Sequence, residues 1–294
     1  MNINRFKGLG VALVTPFRPD GSVDFKALEN FLNFQIDNGI DYLVALGTTS
    51  ESATMSDDEK TAVVDFIIDI NKGRLPLVVG CGGNNTSEVV YAVRKLNKPG
   101  VDAILSVTPY YNKPNQRGIF EHFKAIANAT SLPIILYNVP GRTGSNISAD
   151  TALLLAKKFK NIIAVKEASS DLAQAMQIMK GKPNNFLVLS GDDALTLPLI
   201  SLGFDGVISV VGNAYPKEFS QLVHNALDNK YEEARKMQYQ LIDIIESMFT
   251  EGNPAGVKAY LKYKGLMEAS LRLPLVCVSD ELNTHIISLA KTME

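Results

Sequence analysis

The sequence predicts an α/β fold, a (β/α)8 TIM barrel with a C-terminal helical appendage. Short, continuously apolar runs rich in Val, Ile and Leu recur near 9–14, 41–46, 76–80, 102–106, 133–137, 161–166, 186–190 and 206–210. Unlike alternating patterns, such runs fit parallel strands covered on both faces. Helical patterns fill the gaps between them, and strand followed by helix eight times over closes a barrel. An open doubly wound sheet is the competing arrangement. It carries a Gly-rich phosphate loop after its first strand, and Thr15-Pro16-Phe17-Arg18 stands in that place here.

The first helix is expected over 24–38, with Phe25, Leu28, Phe31, Leu32 and Ile36 as its apolar positions. The second, 57–72, follows Ser56 as N-cap, and Glu59 three residues later completes a capping box. Further helices fit 86–97, 116–129, 149–159, 171–180, 192–201 and 216–227. After about residue 228 the strands stop. Segments 230–249, 254–264 and 280–291 read as helices, so residues 228–294 are expected as an appendage on a catalytic barrel of residues 1–227. No internal repeat beyond the β/α alternation and no low-complexity stretch is present.

Bulk properties exclude several function classes. The 294 residues are 46% apolar and 20% charged, ordinary for a soluble globular protein. Twenty-nine basic against 31 acidic residues leave a net charge of −2, and there is no Lys/Arg run, so no nucleic-acid partner is expected. No apolar stretch is long enough to span a bilayer, and Met1–Lys7 lacks the apolar core of a signal peptide. With Cys81 and Cys277 as the only cysteines, a disulfide framework is not expected, and a reducing cytoplasm is the simplest compartment. His122, His224 and His285 lie far apart without ligand spacing and are expected as surface or packing residues, not metal ligands.

Lys166 is the most informative residue. It ends the apolar run Ile162-Ile163-Ala164-Val165, at the tip of the sixth expected strand. A lysine there either snorkels to solvent or is buried, and burial disfavours an ammonium and frees the amine as a nucleophile toward a carbonyl. Its company favours the second. Active sites of such barrels form at the C-terminal ends of the strands. Those ends carry Gly47-Thr48-Thr49-Ser50-Glu51, Thr108-Pro109-Tyr110-Tyr111, Tyr137-Asn138-Val139-Pro140-Gly141-Arg142, Lys166-Glu167, Ser190-Gly191-Asp192-Asp193 and Gly206-Val207-Ile208-Ser209. Each has an ordinary reading as a turn, cap or packing residue. Together on one rim they are chemically coherent.

A Schiff-base lysine needs a proton shuttle. Tyr137 ends the neighbouring strand, and Thr48 and Tyr111 are candidate relays, since a phenol with an ordinary pKa near ~10 is a poor base by itself. The hydroxyl and N–H groups of Thr48-Thr49 suit the carboxylate of a 2-oxo acid, and Arg142 offers a fork to a second carboxylate.

With these residues assembled, the chain resembles the dihydrodipicolinate synthase (4-hydroxy-tetrahydrodipicolinate synthase) family. That family lies within the pyruvate-dependent class I aldolase superfamily, which also holds N-acetylneuraminate lyase. The motifs are Gly47-Thr48-Thr49, Thr108-Pro109-Tyr110-Tyr111-Asn112-Lys113-Pro114, Tyr137-Asn138-Val139-Pro140-Gly141-Arg142-Thr143 and the lysine ending strand six. The likeness runs from Gly10–Phe17 to Leu271-Arg272-Leu273-Pro274.

It implies a lyase that condenses pyruvate, held as an imine on Lys166, with L-aspartate-4-semialdehyde in diaminopimelate and lysine biosynthesis, with no organic cofactor. Thr48, Tyr137 and Tyr111 would relay protons, Tyr111 from a neighbouring subunit of a homotetramer built as a dimer of dimers. Thr49 would bind the pyruvate carboxylate, Arg142 that of the semialdehyde, and Gly191 and Ile208 would line the site. Sister aldolases that cleave 2-keto sugar acids share the lysine and tyrosine without needing Arg142. A catalytically silent metabolite-binding barrel would not need the set at all.

Two departures from the resemblance matter. Ser50 stands where most relatives have glycine, and the tail reads Asn253-Pro254-Ala255-Gly256-Val257-Lys258 instead of Asn-Pro-Ile-Pro-Val-Lys. The first is expected to be tolerated on ordinary backbone, and the second to have little catalytic effect because it lies outside the rim. Ser52, Ala53, Asn84, Glu88 and Tyr110 match an allosteric L-lysine site of inhibited relatives. Asp57 and Lys60 replace histidines found there in some of them, and the charge of Lys60 opposes a cationic effector. Weak or absent lysine feedback is the expectation. Asp57-Asp58-Glu59 also suits the first turn of a helix, where the dipole favours acidic groups.

Overall fold

The structure, a computed structural model, describes residues 2–293. Eight parallel strands close a barrel in chain order: β1 (Gly8–Ala12), β2 (Tyr42–Ala45), β3 (Leu77–Gly80), β4 (Ala103–Val107), β5 (Ile134–Asn138), β6 (Ile162–Glu167), β7 (Leu187–Ser190) and β8 (Gly206–Ser209). β1 pairs with both β2 and β8, which leaves no sheet edge. The expected (β/α)8 class is therefore observed, and the doubly wound sheet is excluded.

The helices are α1 (Phe25–Asp37), α2 (Asp57–Asn71), α3 (Thr86–Lys95), α4 (Gln116–Ala127), α5 (Pro140–Thr143), α6 (Ala149–Lys158), α7 (Leu172–Gly181), α8 (Thr196–Ser201) and α9 (Pro216–Leu227), followed by α10 (Tyr231–Phe249), α11 (Ala255–Tyr263) and α12 (Asp280–Lys291). The Ser56–Glu59 capping box starts α2 as expected.

Two details differ from the expectation. α5 is an additional turn, closed by Gly144 in the left-handed region (φ 67). α8 begins four residues later than 192. The Asp192 carboxylate accepts from the N–H groups of Ala194 and Leu195, and Asp193 accepts from those of Val210 and Val211, so both residues belong to a loop that ties β7 to β8.

Side chains alternate between the two faces of each strand. One face fills the barrel interior with Tyr42, Val44, Val78, Ala103, Leu105, Ile135, Ala164, Leu189 and Ile208. Phe6 plugs the N-terminal end, its ring edge-on to Tyr42 at 5.9 Å. The other face, including Leu9, Val11, Leu43, Val79, Leu136 and Val165, packs against the helices. This parity positions the chemistry. Tyr137 and Lys166 follow the inward residues Ile135 and Ala164 by two, and the two are paired in register. Asn138 and Glu167, one residue on, face outward.

Candidate active site

At the C-terminal ends of the strands lies a cavity of about 460 Å³. Lys166 and Tyr137 reach it from β6 and β5, Thr48 and Thr49 from the loop after β2, Arg142 from α5, and Gly191 from the end of β7. Lys166 is only 5% exposed, and its Nζ stands 4.3 Å from the centroid of the Tyr137 ring. Among the described residues no carboxylate lies within ion-pair distance of it. An amine sheltered in an apolar barrel mouth and backed by a phenol ring is arranged for nucleophilic attack on a carbonyl.

Behind this pair, on the outer face, the buried Glu167 carboxylate accepts from Asn138 Nδ2, Gln174 Nε2 and the Ser169 N–H. Asn138 Oδ1 in turn accepts from the Ile147 N–H. The network fixes the tips of β5 and β6, and hence the Lys166 and Tyr137 side chains. Gly191 leaves room for the lysine: a Cβ there would sit 2.6 Å from Ala168 Cβ and 2.9 Å from Lys166 Cε.

Thr48–Ser50 form one tight turn with Thr49 and Ser50 buried and Thr48 exposed to the cavity. Ser50 has ordinary backbone, as expected, and its Oγ donates to Gly47 O at 2.6 Å. The left-handed residues of the loop are Leu46 (φ 54) and Glu51 (φ 57). Arg142 is exposed on the cavity wall, and among the described residues its guanidinium has no ion-pair partner. It is a free fork for an incoming carboxylate.

A lysine facing a tyrosine across β5 and β6, with the paired threonines and the free arginine around one cavity, matches the expected constellation. The sequence model of the dihydrodipicolinate synthetase family matches residues 5–293. The chain belongs to the dihydrodipicolinate synthetase family. It is 54% identical over 281 residues to a 4-hydroxy-tetrahydrodipicolinate synthase of Flavobacterium psychrophilum, covering 96% of each chain. The dihydrodipicolinate synthase of Aquifex aeolicus superposes with a TM-score of 0.95 at 42% identity, over 98% of both chains. A structure described as the first monomeric dihydrodipicolinate synthase variant matches with a TM-score of 0.94 at 38% identity, over 98% of this chain and 97% of that one.

Not every site residue expected of a dihydrodipicolinate synthetase family member lies in the cavity. Tyr111 is 88% exposed, with φ 73, on the loop after β4, and does not line it. Ile208 is buried in the barrel interior, and Val210 is the lining residue that follows β8. A second cavity of about 470 Å³ shares Thr48 and Tyr137 with the first and is bounded by Ser52, Ala53, Asp57, Lys60, Cys81 and Tyr110. Asn84 and Glu88 line an adjoining one together with Tyr110. Lys60 Nζ lies 3.4 Å from Asp57 Oδ1. Burial pushes the Cys81 thiol up to about 11.

His122 and His224 serve packing and pairing, and His285 is exposed. His122 is buried against Thr86 and held down to about 4 by burial, and His224 pairs with Asp41. No cluster of three metal-ligating side chains occurs among the described residues.

The expectation that residues 253–258 lie outside the rim is corrected. Ile245, Glu246, Phe249, Thr250 and Asn253 form part of the cavity wall, and Asn253 Nδ2 donates to Thr49 Oγ1 at 3.0 Å. Lys258 was not singled out from the sequence, yet it is fully buried against Glu51. The available signal was a charged residue between Val257 and Ala259 on the apolar face of a helix. Asp193 also lines the cavity, and burial raises its carboxyl above the usual range against the two N–H groups it accepts.

Proposed function

We propose that this chain is a Schiff-base-forming lyase that condenses pyruvate with L-aspartate-4-semialdehyde, at a step leading to diaminopimelate and lysine. The observation that carries this reading is the sheltered Lys166 amine stacked on Tyr137 at the floor of the rim cavity. The amine attacks the pyruvate ketone, and the carbinolamine loses water as protons arrive through Tyr137 and Thr48. Loss of a methyl proton gives an enamine, whose carbon attacks the aldehyde. Thr49 receives the pyruvate carboxylate, Gly191 and Val210 bound the reacting end, and Arg142 receives the carboxylate of the semialdehyde. No organic cofactor or metal takes part.

The exposure of Tyr111 supports a role in the relay of an adjoining subunit, and we assign the enzyme as a homotetramer, a dimer of dimers, in the cytoplasm. No helix among the described residues is long and apolar enough to cross a membrane.

Pyruvate plus borohydride, followed by peptide mapping, tests the chemistry: a reduced adduct on Lys166 is expected, and its absence refutes the reading. A coupled assay with the semialdehyde then separates this substrate from 2-keto sugar acids. Arg142→Ala should lose semialdehyde turnover by about 100-fold or more while keeping the pyruvate adduct.

A further inference from the structure

We propose that Lys258 and Glu51 are positioning residues for pyruvate binding: Lys258, from the C-terminal segment, holds Glu51 and so fixes the turn that presents Thr48 and Thr49. The proposal rests on the function given above. The turn's own hydrogen bonds, Ser50 N–H and Oγ to Gly47 O and the Glu51 N–H to Thr48 O, close it locally but do not tie it to the rest of the barrel. Its anchor is Glu51, the residue that leaves it in the left-handed region. Glu51 Oε1 accepts from Lys258 Nζ at 2.5 Å, and Oε2 accepts from the Arg272 N–H at 2.9 Å. Lys258 also donates to Ser270 O at 2.8 Å and lies 4.4 Å from the centroid of the Phe17 ring. Both charged side chains are wholly shielded from solvent, and neither lines the cavity.

Five residues before Lys258, Asn253 donates to Thr49 Oγ1. One short segment of the tail thus grips the turn on both sides of Ser50. Because Thr49 Oγ1 accepts from Asn253, its own hydrogen is left to donate to an anion in the cavity.

Stability alone is a poor reason for such a pair. Two charges stripped of water are often replaced by apolar residues without loss. The pair does supply position. A shift of the turn would leave a buried charge unpartnered, so the turn is confined to one place before substrate arrives. Prepositioned donors strengthen binding of the pyruvate carboxylate.

The test uses Glu51→Gln, Lys258→Met and the charge-free double variant E51Q/K258M, with Asp205→Asn as a stability control. Asp205 pairs with Lys7 and Lys182 at β8's start, far from the rim. Melting temperature, kcat and both KM values are measured for each. The double variant should fold with pyruvate KM raised about tenfold or more and semialdehyde KM changed less than about threefold. Asp205→Asn should lose stability with both KM values unchanged. If the double variant does not fold, Glu51→Gln keeps the side-chain shape and carries the same expectation.

A folded variant with wild-type pyruvate KM overturns the proposal, as does a rise that Asp205→Asn shares at equal loss of melting temperature. Absence of the borohydride adduct in the unaltered enzyme overturns the assigned function itself, a separate and prior outcome.

Discussion

Replacing Gly191 by alanine should damage imine formation through space, not backbone strain. Gly191 does not adopt a left-handed conformation, so an L-residue is conformationally acceptable there. The difficulty is the added methyl. It would lie 2.6 Å from Ala168 Cβ, 2.9 Å from Lys166 Cε and 3.2 Å from Lys166 Cγ, where carbon atoms prefer roughly 3.5–4.0 Å.

Neither the Ala168 backbone nor that of residue 191 has much freedom. The Ala168 N–H is bonded to Asn138 O at 2.9 Å, and the Gly191 N–H to Glu167 O at 2.8 Å, so neither strand end can retreat. The lysine side chain is what yields, and it moves off the Tyr137 ring. Overpacking of this kind costs about 1–3 kcal/mol, and a displacement near 1 Å at a reacting atom costs on the order of 100-fold in rate. Rapid-quench borohydride trapping at limiting pyruvate, read by mass spectrometry, measures the rate of adduct formation. Urea unfolding measures stability in parallel. Gly191→Ala forming the adduct at the wild-type rate would refute the reasoning, whatever its effect on stability.

Three further outcomes follow from the structure. Hydrogen bonding to Asp41 holds the His224 imidazole above its ordinary value of 6.5, so the pair stabilises the fold fully below pH 6.5 and fades as pH rises through the raised value. The melting-temperature gap between wild type and His224→Gln should accordingly be wider at mildly acidic than at alkaline pH. Arg272 bonds Gly21 O, Thr54 O and the Glu59 carboxylate, and its hydrogen bonds hold Glu59 down at about 2. Arg272→Ala should lose on the order of 2 kcal/mol near neutral pH, and the gap to wild type should narrow, without closing, as pH falls from the ordinary 4.5 toward 2 in denaturant titrations. Lys60, already beside Asp57 in the second cavity, should keep low-millimolar L-lysine from inhibiting turnover, and Lys60→Ala should increase sensitivity.

The barrel was legible because parallel strands buried on both faces leave uninterrupted apolar runs, and because Ser56 with Glu59 announces a helix start in the sequence itself. The end of α8 was legible but its beginning was not. Asp192 and Asp193 look like a helix's first turn, yet their carboxylates are committed to backbone N–H groups of the adjoining loops. Lys166 and Tyr137 could be paired from the sequence because each ends its strand on the inward parity. Ile208 shows the limit of that rule. It shares the parity but lies too deep in the interior, and Val210 is the residue that reaches the cavity.

Contacts across the chain's two ends were not legible, and the reason is physical. Glu51 and Lys258 are separated by 207 positions, and neither carries a local pattern that names the other. A buried charge announces only that a partner exists somewhere. Lys258 lies on a buried helix, where an uncompensated ammonium is too costly to keep. The missing partner had to be an acidic residue with no solvent of its own. That residue is Glu51, at the exit of the Thr48–Ser50 turn. The tail therefore has a function the strand count hides: it completes the wall of the cavity and holds the turn on which the pyruvate carboxylate would rest.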